Sequence, residues 1–116
     1  MAPTQAPYTD MRDLKWSPTE KAIARNAFDV ALQRRLDAVI REAKNRAAKI
    51  AQPAELWHLE RWLTQRREEI DAKFDFRYSV LPTVLGNLIR EGRLTEQDQH
   101  GLAEDKLVLV RRQATL

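Results

Sequence analysis

The sequence predicts an all-α protein with one long N-terminal helix and three shorter helices. Apolar residues recur at spacings of three and four along most of the chain, which is the period of an amphipathic helix. Residues typical of helix starts and stops divide this pattern into four segments. The chain of 116 residues is long enough for one domain. We predict that domain at residues 17–116, preceded by a flexible arm at residues 1–16.

The long helix has a clear start signal. Ser17 is a good N-cap, Pro18 suits the first helical position, and Glu20 completes a capping box. No helix breaker follows until Pro53. One apolar stripe runs along this segment through Phe28, Leu32, Leu36, Val39, Ala43, Ala47 and Ile50.

The length of this helix predicts an elongated homodimer. About 33 helical residues span roughly 50 Å, whereas a compact monomer of this size is only about 35 Å across. One end of the apolar stripe must extend beyond its own domain, where exposure to water is unfavourable. We expect a second copy to cover it. The predicted dimer interface consists of Phe28, Leu32, Leu36, Val39, Ala43 and Trp57.

Three shorter helices are predicted after a break at residues 52–53. The second helix covers about residues 53–73. The third covers about 79–91, with Pro82 in its first turn and Gly92 as its C-terminal cap. The fourth covers about 103–112. Its residues 107–110 have strand propensity, but no partner strand is evident, so we favour a helix. The apolar face of the second helix is Leu56, Leu59, Leu63, Ile70 and Phe74.

Composition excludes several function classes. The chain has no cysteine, which excludes a disulfide framework, a thiolate metal site and a cysteine nucleophile. No apolar run approaches the ~18 residues of a membrane span, and residues 1–16 lack the apolar core of a signal peptide. We therefore expect a cytoplasmic protein.

A basic helical nucleic-acid-binding protein is the alternative function. The net charge is +3, but both signs are interspersed along the helices, whereas nucleic-acid binders usually gather their excess on one face. The residues for this alternative are Arg34, Arg35, Arg41, Lys44, Arg46 and Lys49.

Nothing in the sequence indicates an enzyme or a cofactor site. Glu55 and His58 have the spacing found in di-iron bundles, but His100 lacks a glutamate three residues earlier. The acidic residues at 68–75 have arginines and lysines beside them, which favours solvated ion pairs over acid–base catalysis. We expect no catalytic residue, no metal and no cofactor.

Trp57 is the strongest candidate for a protein interface. It falls on the polar side of the second helix beside Arg61, away from the apolar face. Tryptophan and arginine are the favoured anchors of protein interfaces. In the plainer interpretation, the Trp57 side chain packs under the first helix or the arm. Trp62 lies nearer the apolar edge and is predicted to be core.

The junction between the second and third helices combines charge and aromatic character. Its residues are Asp71, Asp75, Arg77 and Tyr78. We predict a buried Asp–Arg bridge that fixes the turn, because helix ends need polar partners. A docking edge for a partner is the alternative.

A resemblance to a known family emerges from these residues. The run from Asp71 to Leu81, with Leu56-Trp57 and the charged residues 66–69 before it, resembles the fluorescence recovery protein family. The resemblance covers about residues 16–112. It implies a helical, non-catalytic dimer that binds the C-terminal domain of the orange carotenoid protein of cyanobacteria and speeds its return to the inactive state.

The resemblance also implies a set of partner-binding residues. The family has a patch on the second helix with a tryptophan, a His-Asp pair and an arginine. Trp57 and Arg67 match this patch, but Glu60 and Arg61 stand in place of the His-Asp pair. A carboxylate is thus replaced by a cation, which usually alters partner choice more than fold. The expected partner is the orange carotenoid protein or another bacterial regulatory or signalling protein.

Overall fold

The computed structural model describes residues 11–116. Its helices are α1 at Pro18–Ala48, α2 at Pro53–Lys73, α3 at Leu81–Arg90 and α4 at Glu104–Ala114. Short 3-10 turns occupy Met11–Asp13 and Gln97–Gln99. No strand occurs in this range. The all-α prediction is confirmed, including the helical interpretation of residues 107–110.

The start of α1 has the predicted capping box. The hydroxyl of Ser17 accepts a hydrogen bond from the Glu20 backbone N–H at 3.1 Å. In return, the Glu20 carboxylate accepts one from the Ser17 N–H at 3.0 Å. These bonds satisfy donors that a helix start leaves without partners.

The core lies at one end of the molecule, in a part that we call the head. The head consists of the first half of α1, α3, α4 and the segments connecting them. Small residues allow its helices to approach closely: a Cβ atom on Gly86 of α3 would lie only 2.7 Å from the Val110 carbonyl of α4. The buried apolar residues are Ala24, Ala27, Phe28, Ala31, Leu81, Val84, Leu85, Leu88, Leu94, Leu102 and Val110.

The second half of α1 and the whole of α2 form a helical hairpin that extends from the head. No residue of α2 is fully buried. The molecule measures 67 × 27 × 21 Å, and its radius of gyration is 18.1 Å, compared with about 13 Å for a compact chain of this length. The long helix therefore extends beyond its own core, as the sequence predicts.

An aromatic cluster joins the hairpin to the head. The Phe28 ring lies edge-on to Phe74 and Phe76, at centroid distances of 5.5 and 5.0 Å. The rings of Phe76 and Tyr78 are 5.5 Å apart, and Trp16 lies 5.3 Å from Tyr78. These contacts fix the path of the chain between α2 and α3.

The described part of the predicted arm, residues 11–16, lies against the head. Trp16 belongs to the aromatic cluster. Residues 1–10 lie outside the described residues, so the prediction of a flexible arm is not tested there.

Candidate protein interaction surface

An open apolar groove lies between α1 and α2, and we call it the hairpin groove. Its volume is about 770 Å³. Its apolar walls are Leu32, Leu36, Val39, Leu56, Leu59, Leu63 and Ile70. Its polar rim is Glu60, Thr64, Arg66, Arg67 and Asp71. The predicted apolar faces of the two helices thus meet along the groove without closing it.

The hairpin concentrates exposed apolar side chains. Within residues 11–116, five of the seven exposed large hydrophobic residues belong to α1 or α2 of the hairpin: Leu36, Ile40, Leu56, Trp57 and Leu63. A concentration of exposed large apolar side chains in one part of a molecule favours an interaction site there.

Trp57 and Trp62 have opposite environments. Trp57 is 63% exposed, so it does not pack under α1 or the described part of the arm. Trp62 is half-buried, with the guanidinium groups of Arg46 and Arg66 at 4.6 and 5.4 Å from its ring. Trp62 lies outside the buried core, so its assignment to the core is wrong: its ring packs against arginines on the surface of the hairpin.

The residues predicted to bind a partner lie on two neighbouring strips of α2. Glu60 and Arg67 are on the rim of the hairpin groove. Trp57 and Arg61, one helical turn apart, are exposed beside it. The Glu60 carboxylate accepts a hydrogen bond from the Thr64 hydroxyl at 3.3 Å. The four residues therefore share one accessible side of the hairpin.

Phe28 differs from the other residues predicted for a dimer interface. It is only 5% exposed because it packs in the core of its own chain. Ala31 is the last buried residue of α1, and Leu32 packs against the edge of the core. Beyond Ala31, Leu32, Leu36 and Val39 line the hairpin groove, and Ala43 is half-buried.

The Asp–Arg bridge at the junction lies at the surface. Arg77 donates to the Asp75 carboxylate at 2.6 Å, and this bond lowers the pKa of Asp75. The Arg77 side chain is mostly exposed, so the prediction of a buried bridge is wrong. Asp71 does not join it and lies on the groove rim. Tyr78 packs in the aromatic cluster instead.

Ion pairs occupy much of the basic side of α1. Arg34 donates to Asp98 at 2.8 Å, and Arg35 donates to Glu69 at 2.6 Å. Arg46 pairs with Glu42 at 3.0 Å. These pairings disperse the positive charge that nucleic-acid binding would need on one face. The nucleic-acid-binding alternative is therefore not supported.

Glu55 has a structural role at the start of α2. Its carboxylate accepts hydrogen bonds from the backbone N–H groups of Ala51 and Gln52, at 3.1 and 2.7 Å. Residues 11–116 contain no group of three or more histidine, aspartate or glutamate residues arranged to hold a metal ion. Over the same range, no helix is long and apolar enough to cross a membrane.

Sequence reasoning missed one buried charged pair. Lys106 of α4 is 2% exposed, and its ammonium lies 3.1 Å from the Glu20 carboxylate. A signal was present, since Lys106 stands four residues before the buried Val110 and thus on the apolar face of α4. A lysine on such a face requires a partner.

Comparisons with known proteins agree with this architecture. The model of a family described as photoprotection regulator fluorescence recovery protein matches residues 16–114. The fluorescence recovery protein of Synechocystis sp. PCC 6803 is 37% identical over 91 residues, which are 78% of this chain and 84% of that protein.

Solved structures show the same fold. The fluorescence recovery protein of Fremyella diplosiphon aligns with a TM-score of 0.82 and 34% identity, over 88% of this chain and 100% of that chain. The Synechocystis sp. PCC 6803 structure aligns with the same score and coverage at 35% identity. The resemblance inferred from residues 56–81 is confirmed. The chain therefore belongs to the fluorescence recovery protein family of photoprotection regulators.

Proposed function

We propose that this chain is a non-enzymatic, cytoplasmic regulator that acts as a homodimer by binding another protein. The first candidate partner is the orange carotenoid protein, whose return to the inactive state the chain would accelerate. Family membership supports the type of function. The observation that carries the proposal is the open hairpin groove, which a second copy would cover, with Trp57 and Arg61 exposed beside it for a partner.

A second copy is the occupant that we propose for the hairpin groove. The groove has apolar walls and a rim with both charge signs, Glu60 and Asp71 against Arg66 and Arg67. A twofold interface brings the same surface of both copies together, so a rim with both signs is able to complement itself. Dimerisation would remove the exposed side chains of the hairpin from water, which is favourable by about 25 cal/mol per Å² of apolar surface.

The proposed action is to change the free energies of the partner's conformational states or of the barrier between them. A protein that speeds a conformational return must bind one state of its partner more tightly or lower the barrier between two states. Trp57, Arg61 and Arg67 supply exposed side chains of the types that anchor interfaces. No bond is made or broken in this mechanism.

Recovery of the orange carotenoid protein tests the partner directly. The light-activated red form is mixed with this chain in the dark, and the loss of red absorbance is followed. We expect the recovery rate to rise with the concentration of this chain. An unchanged rate at high concentration would show that the partner is a different regulatory or signalling protein.

A double substitution tests the partner-binding patch. Glu60→His with Arg61→Asp restores the pair typical of the family and should increase any acceleration. The matched control, Glu68→His with Gln65→Asp, changes exposed positions elsewhere on α2. The same effect in both variants would place Glu60 and Arg61 outside the contact.

A further inference from the structure

Residues 11–16 lie across the head as a short segment that we call the strap. The Thr83 hydroxyl of α3 donates a hydrogen bond to the Met11 sulfur at 3.5 Å. The Lys15 carbonyl accepts a hydrogen bond from the Lys106 ammonium of α4. The Trp16 ring lies 5.3 Å from Tyr78. The strap thus contacts α3, α4 and the junction before α3.

The strap covers a buried positive charge in the head. The Lys106 ammonium has two carboxylate neighbours in the helical part of the head, Glu20 at 3.1 Å and Asp105 at 3.3 Å. The strap supplies its remaining neighbours, the Lys15 carbonyl and the Trp16 ring, which lies 5.4 Å from the ammonium. We call this region the Lys106 pocket. Removing the strap would expose the ammonium and one side of Tyr78.

Three features weaken the docking of the strap. The indole N–H of Trp16 is buried without an acceptor in the described residues, and such an unpaired donor makes the docked state less favourable. The contact at Met11 is an O–H···S bond, which is weak because sulfur is a poor acceptor. The backbone bond from Leu14 N–H to the Met11 carbonyl lies within the strap and does not hold it to the head.

We propose that the strap opens without unfolding of the head, and that the pocket it leaves binds an extended peptide segment of the same chemistry. That segment would present a backbone carbonyl to Lys106 and an aromatic side chain to Tyr78, as Lys15 and Trp16 do. The strap is then an intramolecular competitor with an effective concentration in the mM range. A competing segment binds only when the strap is displaced, so strap docking regulates the pocket. This inference is independent of the partner proposed above.

The reactivity of Lys106 tests the opening of the strap. The chain contains no cysteine, so Met11→Cys with Thr83→Cys introduces a unique thiol pair that oxidation can join by a disulfide linker and a reductant can cleave. The full-length variant is acetylated with an N-hydroxysuccinimide ester, and each lysine is quantified by mass spectrometry. With the linker intact, Lys106 should react at least about tenfold more slowly than after cleavage, because the strap can no longer open locally.

Exposed Lys44 on α1 is the internal control and should react equally in both forms. Equal rates at Lys106 with and without the linker would overturn the proposal, since the strap would not control access to the pocket.

Chemical rescue tests the chemistry of the pocket. Trp16→Gly removes the ring, and N-acetyltryptophanamide supplies both an acyl carbonyl and an indole. At millimolar concentration it should slow acetylation of Lys106 several-fold in Trp16→Gly and leave the unmodified chain unaffected. N-acetylleucinamide, which lacks the aromatic ring, should protect less. Equal protection by both amides, or by neither, would overturn the assignment to an aromatic peptide segment. If Trp16→Gly does not fold, Trp16→Val provides the same comparison.

Discussion

The buried ammonium of Lys106 lies 3.1 Å from the carboxylate of Glu20 and so ties α4 to the first turn of α1. The same carboxylate accepts hydrogen bonds from the Ser17 N–H at 3.0 Å and from the Ala103 N–H at 2.9 Å. Glu20 therefore caps α1 and also anchors the start of α4. Both partners are buried, so removing either one would leave the other charge uncompensated.

Glu20 should make stability depend on pH in the acid range. Burial alone raises its pKa, but the hydrogen bonds from Ser17 and Ala103 and the interaction with Lys106 outweigh burial and lower it from 4.5 to about 2. Because the folded pKa is lower than the unfolded one, this stabilisation is full above about pH 5 and is lost as the pH falls towards 2. Its size is on the order of 3 kcal/mol.

Urea unfolding at a series of pH values measures this effect. Glu20→Gln should lower the unfolding free energy at neutral pH and reduce its slope between pH 5 and 2. Some slope should remain, because Arg34 and Thr95 also lower the pKa of Asp98 to about 2. The control Glu68→Gln, at an exposed position of α2, should keep the original slope. Equal slopes for both variants would contradict the role of Glu20.

Arg34 should stabilise the attachment of the 93–98 segment to α1. Its guanidinium donates to the Asp98 carboxylate at 2.8 Å and to the Arg93 carbonyl at 2.9 Å. Since Arg34 is partly exposed, we expect Arg34→Ala to lower the unfolding free energy only modestly, but by more than a substitution of an exposed arginine without these contacts. Arg34→Lys should recover only part of this loss, because an ammonium lacks the second nitrogen of the guanidinium, which also donates to Asp98 at 3.4 Å.

Chemical denaturation checks this prediction against a control on the same helix. Arg41 is exposed, and Arg41→Ala should change the unfolding free energy by less than about 0.5 kcal/mol. If Arg34→Ala and Arg41→Ala lower the unfolding free energy by the same amount, the contact between Arg34 and Asp98 does not stabilise the fold.

Two glycines should respond differently to alanine. At Gly86, a new Cβ would lie 2.5 Å from the Gln113 Cβ and 2.7 Å from the Val110 carbonyl, so α3 and α4 would have to separate. We expect a loss of about 1–3 kcal/mol from overpacking. At Gly92, φ is +76° and the surrounding space is open, so the cost should be about 1–2 kcal/mol from backbone strain alone.

Thermal unfolding combined with crystal or NMR structures separates the two causes. Gly86→Ala should change the α3–α4 packing, whereas Gly92→Ala should leave it unchanged. An unchanged melting temperature for Gly86→Ala would show that the helices have room for a methyl group.

The sequence predicts the helices well because their signals are local. Caps and breakers at Ser17, Pro53 and Gly92 act within a few residues, so they can be recognised from the sequence without knowledge of the tertiary structure. The excess length of α1 follows from the same local information. This excess length correctly predicts that the apolar stripe of α1 extends beyond the head.

Long-range pairings were less predictable for a physical reason. Glu20 and Lys106 are far apart in sequence. Glu20 has a complete local interpretation as a cap, and the position of Lys106 on the apolar face of α4 indicates that it needs a partner but not which one. Phe28 was expected on the free stripe, but the point at which α1 leaves the head depends on where α3 and α4 pack. Arg77 was expected to be buried, yet its side chain is 72% exposed and reaches a half-buried Asp75 from the surface. Periodicity shows which side of a helix is apolar, but not what covers it.

Leu63 should contribute to dimerisation if a second copy covers the hairpin groove. A carboxylate at this position would be placed in an apolar interface, at a cost of several kcal/mol per dimer. We expect Leu63→Glu to be monomeric at micromolar concentration, and we expect the unmodified chain to show twice the 13.5 kDa chain mass. Light scattering after size-exclusion chromatography measures both masses, and circular dichroism checks that helicity is retained.

Val108 of α4 provides the matched control. Its exposure is 41% and that of Leu63 is 40%, but Val108 does not line the hairpin groove. Val108→Glu should leave the dimer intact. Dissociation by both substitutions, or by neither, would argue against the groove as the dimer interface.

Substitution of Trp57 should weaken binding, whereas substitution of Trp62 should lower stability. Trp57 is 63% exposed, so Trp57→Ala should change the unfolding free energy of the monomer by less than about 0.5 kcal/mol. Dimerisation or partner binding should weaken by about 2 kcal/mol or more if Trp57 is an interface anchor. Trp62→Ala should instead destabilise the hairpin, because its ring packs against Arg46 and Arg66. Chemical denaturation in the monomeric Leu63→Glu background gives the stabilities, and sedimentation equilibrium of the single variants gives the dimer affinity.

Full retention of dimerisation and of partner binding in Trp57→Ala would contradict the role of Trp57 as an anchor, whatever its effect on folding.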